Sequence, residues 1–299
     1  MPAFAIYGAM THDTVLPFRK MNGLGNEIVV LDARASNVAL MPEEAARIAT
    51  DPRAHFDQLM VLYDADPVET DAAVQIFNTD GSVAEACGNG MRCVAQTVYE
   101  QTGRTHQTYE TAGGLLEVTM TGPDRISVDM GRPGLKSEDI PTRDPFHDTT
   151  GIELQIGPID DPILHSPSVC SMGNPHAVFW VDDPDGYDLS KIGPLLEHHP
   201  IFLEGANITL AKVESRTRAR SRTWERGAGL TKACGSAASA TLVSAVRKDF
   251  MDRAGEIVVP GGPLQIEWAE NDHVIMTGPA ELEHQGTVTF HASGGMTIA

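Results

Sequence analysis

Apolar residues along this chain fall mainly into short runs broken by glycine, proline, asparagine and aspartate, the pattern of β-strands joined by turns. The runs are "EIVVLDA" (27–33), "QLMVLYDA" (58–65), "AAVQIFN" (72–78), "LLEVTM" (115–120), "RISVDM" (125–130), "HAVFWVDD" (176–183), "NITLAKV" (207–213), "EIVVP" (256–260), "LQIEWAE" (264–270) and "HVIMTG" (273–278). In "ESRTRARSRTWERG" (214–227) the basic residues recur at every second position, which predicts the solvated face of a further strand. Few segments read as helices. "MPEEAARIAT" (41–50) carries proline and acids in its first turn. "GNGMRCVAQTVYEQTG" (88–103) and "GSAASATLVSAVRKDF" (235–250) begin with small residues and continue as apolar stripes.

The chain also repeats itself. With Cys87 set over Cys234, 147 positions further on (234 − 87), "FNTDGSVAEACG" lies over "WERGAGLTKACG". Upstream, "GNEIVVLDA" (25–33) lies over "GNPHAVFWVDD" (173–183); downstream, "AGGLLEV" (112–118) lies over "PGGPLQI" (260–266). Three matches in one order at a near-constant offset predict an α+β fold of two pseudo-symmetric halves. The first half is residues 1–133, carrying Cys87 and completed by a strand within 280–292; the second is 134–279, carrying Cys234.

The balance of 41 Asp+Glu against 22 Lys+Arg, a net charge of −19, argues against nucleic acid and anionic membrane as partners. No run reaches the roughly 20 apolar residues that span a bilayer. Residues 1–16 lack the basic start of a secretory signal and read as a short extension. A cytoplasmic protein with reduced thiols is the expectation. Cys93 and Cys170 then read as packed core residues, and Cys87 and Cys93 do not have the spacing of a zinc site. "EHH" (197–199) reads as surface.

A cysteine just before a helix start meets unpaired backbone N–H groups and the positive end of the helix dipole, which lower a thiol pKa and can hold an anion. One such site suits a nucleophile, whereas two suit inversion of a stereocentre. A base stands on one face of the carbon and an acid on the other, and the two exchange roles with direction. Gly88, Asn89, Gly235 and Ser236 enter as backbone amides for a carboxylate whose α-proton must be made acidic.

"KMNGLGNEIVVLDA", "FDQL", "FNTDGSVAEACGNGMRC", "MGNPHAVF", "ANITL" and "ERGAGLTKACGSA" together resemble the diaminopimelate epimerase family over residues 17–280. The resemblance implies two similar halves, each with strands wrapped about a central helix, and a homodimer acting without cofactor on diaminopimelate, LL to meso, in lysine and peptidoglycan biosynthesis. It implies that Cys87 and Cys234 are the acid/base pair and that Gly88, Asn89, Gly235 and Ser236 bind the reacting carboxylate. Asn26, Gln58, Asn78, Asn174, Asn207, Glu225 and Arg226 match the positions that hold the rest of the substrate, and His176 matches one that, with Glu225, tunes the thiols. Asn22, where the family usually has His, and Leu230, where it usually has Glu, depart from the pattern.

Without the resemblance, each asparagine reads equally as a turn residue and Glu225-Arg226 as a solvated pair. A proline or hydroxyproline racemase of the same architecture, a cysteine hydrolase and a non-catalytic amino-acid-binding protein are the competing functions. The first usually has His where this chain has Asn89.

Overall fold

The computed structural model describes residues 12–36, 38–65, 70–84, 87–122 and 124–299. They divide into two units, one of residues up to Val128 together with Gly278–Ala299, the other Asp129–Thr277. Of the extension expected over residues 1–16, residues 1–11 lie outside the described residues. Thr14 already begins a strand, because Leu16 and Phe18 alternate into the core while Val15 and Pro17 face out.

In the first unit the strand Thr14–Asn22 runs antiparallel to Glu27–Asp32 and, on its other side, to Glu281–Phe290. Glu27–Asp32 is parallel to Gln58–Tyr63, which is antiparallel to Ala72–Asn78. Ala72–Asn78 touches His106–Thr111 in parallel, and antiparallel ladders carry the sheet on through Gly114–Gly122 to Arg125–Asp129. Helix α1 (Pro42–Ala49) follows Glu27–Asp32, and α2 (Gly88–Thr102) follows the two-residue strand Val83–Ala84.

The second unit repeats that order. Ser168–Ser171 is antiparallel to Pro175–Trp180, which is parallel to Asn207–Ser215; that strand is antiparallel to Arg218–Glu225. Arg218–Glu225 is parallel to Ala254–Val259, and antiparallel ladders continue through Gly262–Trp268 to Val274–Gly278. Helix α3 (Leu189–Glu197) stands where α1 stands in the first unit, and α4 (Gly235–Arg247) follows the two-residue strand Gly229–Leu230. The pattern of small residues and apolar stripes predicts α2 and α4; it misses α3, whose Gly193 and Pro194 read as breakers.

Helices α2 and α4 are the centres of their units. Ten residues of α2 are buried, from Gly88 to Val98, and ten of α4, from Gly235 to Ala245, so each is enclosed on most of its circumference. A helix buried on all sides needs small residues where strands cross it closely, which "GNG" and "GSAASA" supply. Both helices pack on strands of their own unit. The basic run follows its alternation: Ala219, Ser221 and Thr223 are buried, while Arg218, Arg220 and Arg222 point outward to pair with Glu214, Glu256, Asp183 and Asp185.

Candidate active site

In the first unit Cys87 is the N-cap of α2. Its Sγ accepts the N–H of Gly90 at 3.1 Å, and its thiol donates to Oε1 of Gln58. Gly90 lies close under its neighbours: a Cβ there would stand 2.4 Å from Sδ of Met60 and 3.1 Å from Sγ of Cys87, so a larger residue would need both side chains to shift. Gln58 opens its strand and pairs across the ladder with Asn78, which closes the neighbouring strand and donates to Oγ of Ser82 at 3.0 Å. Asn26 lies just before the strand Glu27–Asp32, held in a turn by Gly25 at φ 85° and by the bond from Gly23 N to its carbonyl. Asn22 Oδ1 accepts from Gly25 N at 2.6 Å and so fastens this turn. Gly23 lies against Asn89, where a Cβ would be 3.3 Å from the Asn89 Cβ. The first unit thus brings Asn26, Gln58, Asn78, Gly88 and Asn89 to the end of the sheet that holds Cys87. The Oδ1 of Asn26 is enclosed without a hydrogen-bond partner from the protein.

The second unit presents an equivalent set. Cys234 is the N-cap of α4, with Sγ 3.4 Å from Oγ of Ser236, and Gly235 is buried beside it. Asn174 follows Gly173, whose φ of 85° equals that of Gly25, and its Oδ1 lies 2.8 Å from Nε2 of His176. Asn207, 2% exposed, ties two segments together: Nδ2 donates to the Pro175 carbonyl at 2.9 Å, and Oδ1 accepts from Arg226 N at 3.0 Å. The Arg226 guanidinium donates to the Glu204 carbonyl at 3.1 Å. Glu225 accepts from the Thr231 hydroxyl and lies beside Cys234.

The expectation that a helix start depresses the thiol pKa is reversed at Cys234. Burial first, and then the Glu225 carboxylate, push it well above the ordinary thiol value; the Ser236 hydroxyl and Ala237 N–H oppose them without prevailing. Cys234 therefore rests as a thiol, a proton donor. His176 is buried completely and driven down to about 3 by that burial and by Arg226, so it is neutral at physiological pH. Its bonded partner is Asn174 rather than either cysteine. Cys93 and Cys170 are core residues whose thiols burial pushes up to about 12 and about 11.

One expected surface residue is not on the surface. Glu197 is buried at the end of α3, where it accepts from the Trp224 indole and from Gly227 N. No motif marks it, although a carboxylate closing a helix runs against the dipole preference and is itself a signal. Among the described residues no group of three His, Cys, Asp or Glu is arranged to hold a metal ion.

The family model described as "Diaminopimelate epimerase" matches residues 18–136 and 168–283, once over each cysteine segment. A diaminopimelate epimerase of Chelativorans sp. (strain BNC1) is 56% identical over 270 residues, 90% of this chain and 92% of its own length. One of Methylobacterium sp. (strain 4-46) is 59% identical over 274 residues, 90% of this chain and 94% of its own. Among solved structures, a hydroxyproline epimerase from Agrobacterium vitis with bound trans-4-hydroxy-L-proline superposes with a TM-score of 0.65 at 13% identity, covering 95% of this chain and 94% of that one. A PhzF-family phenazine biosynthesis protein of Bacillus anthracis gives 0.63 at 16%, covering 92% and 99%. At such identities these two structures speak to the fold alone.

Proposed function

Because the chain belongs to the diaminopimelate epimerase family, we propose that it interconverts LL- and meso-2,6-diaminopimelate by moving the α-proton between Cys87 and Cys234. The observation that carries this reading is the paired cysteine segment. Each unit has one cysteine as the N-cap of its buried central helix, followed by small residues whose amides suit a carboxylate.

The chemistry balances without a cofactor. A thiolate takes the α-proton, breaking C–H and forming S–H, while the other cysteine's thiol delivers its proton to the opposite face and is left as thiolate. The enzyme ends with the two sulfurs' protonation exchanged, and proton exchange with solvent, or the reverse reaction, returns it to its starting form. The reading requires both cysteines to reach one α-carbon. In it the amides of Gly88, Asn89, Gly235 and Ser236 bind the reacting carboxylate and take up charge as the proton leaves. Asn26, Gln58, Asn78, Asn174, Asn207 and Glu225 fix the amino groups and orientation, and Arg226 grips the distal carboxylate. Burial and the Glu225 charge favour the protonated form of Cys234, the form that delivers a proton.

The reaction needs both thiols reduced, which fits a cytoplasmic enzyme of lysine and peptidoglycan biosynthesis. Among the described residues no helix is long and apolar enough to cross a membrane. A homodimer follows from the family resemblance and is checked by sedimentation.

The deciding experiment is incubation with each diaminopimelate isomer in deuterated solvent. Deuterium should enter the α-position, and Cys87→Ser and Cys234→Ser should each lower turnover by about 10²-fold or more. Deuteration of L-proline alone would favour the racemase alternative, and turnover surviving in Cys234→Ser would remove the two-base mechanism.

A further inference from the structure

The dipeptide Glu225-Arg226 is gripped on both sides by one side chain. Glu197 closes α3 at 5% exposure; its Oε2 accepts from Nε1 of Trp224 at 2.6 Å and its Oε1 from the N–H of Gly227 at 2.9 Å. Trp224 and Gly227 are the residues immediately before and after the pair. Between them Asn207 holds Arg226 N, and the backbone carbonyl of Glu197 accepts from Ala206 N at 3.2 Å, one residue before Asn207. Packing reinforces the clamp. A Cβ at Gly193 of α3 would fall 2.5 Å from Cγ of Trp224, and one at Gly205 would fall 3.2 Å from the Glu197 carbonyl and 3.4 Å from Cδ of Arg226.

Stability alone does not account for a carboxylate here. Desolvating it is costly, the C-terminal end of a helix repels negative charge, and the neighbouring ionisable group, exposed His198, stands 3.8 Å away. The two N–H donors are what the carboxylate gains, and both belong to the peptide that presents Glu225 and Arg226.

We propose that Glu197 is a positioning residue that fixes this peptide and so sets how well Arg226 receives the distal end of the substrate. The proposal rests on the functional reading above. Glu197 acts through Arg226, whose backbone N–H Asn207 also holds, so its loss acts on substrate binding more than on proton transfer.

The test measures kcat and KM for diaminopimelate in Glu197→Gln, Glu197→Ala and Trp224→Phe, each alone and combined with Arg226→Ala, well below every variant's Tm. Glu197→Ala should raise KM on the order of tenfold with a much smaller change in kcat, as expected when a charge-assisted contact is misplaced. Glu197→Gln keeps one accepting oxygen and Trp224→Phe removes one donor, so both should fall between wild type and alanine, and both remain informative if the alanine variant does not fold. In the Arg226→Ala background, Glu197→Ala should add less than about twofold, because the group it positions is gone. Full additivity of the two substitutions, or an unchanged KM in Glu197→Ala and Trp224→Phe, overturns the proposal. An Arg226→Ala enzyme with unchanged KM would instead overturn the reading beneath it, whatever Glu197 does.

Discussion

Nε2 of His176 lies 2.8 Å from Oδ1 of Asn174, and the opposite ring nitrogen is enclosed without a hydrogen-bond partner. An Nε2–H donated to Asn174 leaves Nδ1 as a buried acceptor, and burial together with Arg226 drives the imidazole pKa down to about 3. The Cε1–H resonance of His176 should therefore stay flat between pH 8 and 5. The linkage has a definite sign. A folded pKa below the unfolded value of about 6.5 means the unfolded chain binds the proton first, so stability is complete above 6.5 and declines as pH falls towards 3. Between pH 6.5 and 5 the loss is on the order of 2 kcal/mol. Urea unfolding of His176→Gln should show that much less acid sensitivity, and an equal loss in both proteins would contradict the assignment.

The four thiols should separate by reactivity. Cys87 is half-buried, Cys234 is buried beside a carboxylate, and Cys93 and Cys170 are enclosed in the core. Brief iodoacetamide treatment near neutral pH should modify Cys87 first and Cys234 second, leaving the other two until the protein is unfolded. Glu225→Gln removes a charge that raises the Cys234 pKa, so alkylation of Cys234 should accelerate and its pH dependence move down. Peptide mass spectrometry over a pH series measures both, and an unchanged Cys234 rate would mean that burial alone holds the proton.

What could be read from the chain was periodic. Alternation placed the arginines of Arg218–Glu225 outward, and the echo of "ACG" across 147 residues (234 − 87) marked both helix starts. What could not be read depended on contacts between distant segments. Leu189, Gly193, Leu196 and Glu197 form the buried stripe of α3, spaced as one helical face, yet Gly193-Pro194 hid it. Glu197 belongs to that stripe as a polar member, and its reason for being there is Trp224, almost a whole β-hairpin away in sequence. The reversed pKa of Cys234 was likewise invisible, because depth of burial and the approach of Glu225 are properties of the folded unit.

Gly90→Ala sets two local effects against each other. In a helix interior alanine is favoured over glycine by about 1 kcal/mol. Here the new methyl would meet Sδ of Met60 at 2.4 Å and Sγ of Cys87 at 3.1 Å. Met60 is flexible and can move aside at a cost of about 1–3 kcal/mol, so the net stability change should be small. The Cys87 sulfur has no such freedom, since Gly90 N–H caps it. Turnover should fall at least about tenfold while Tm changes by only a few degrees; unchanged turnover would show that the site is more tolerant than its packing implies.

Gly193→Ala tests the same competition where the neighbour cannot yield. The added Cβ would stand 2.5 Å from Cγ, 2.6 Å from Cδ2 and 2.9 Å from Cβ of Trp224. These are the root of the side chain, not its flexible end, so relief requires the backbone of α3 or of the strand to shift. The cost of such overpacking, about 1–3 kcal/mol, exceeds the gain of about 1 kcal/mol in helix propensity. The indole also donates to Glu197, so a displaced Trp224 disturbs the turn that carries Glu225 and Arg226. Gly193→Ala should lower Tm by several degrees and raise KM for diaminopimelate more than it lowers kcat, the same signature expected of Glu197→Ala. A stabilised protein with unchanged KM would show that α3 does not brace the Glu225-Arg226 turn.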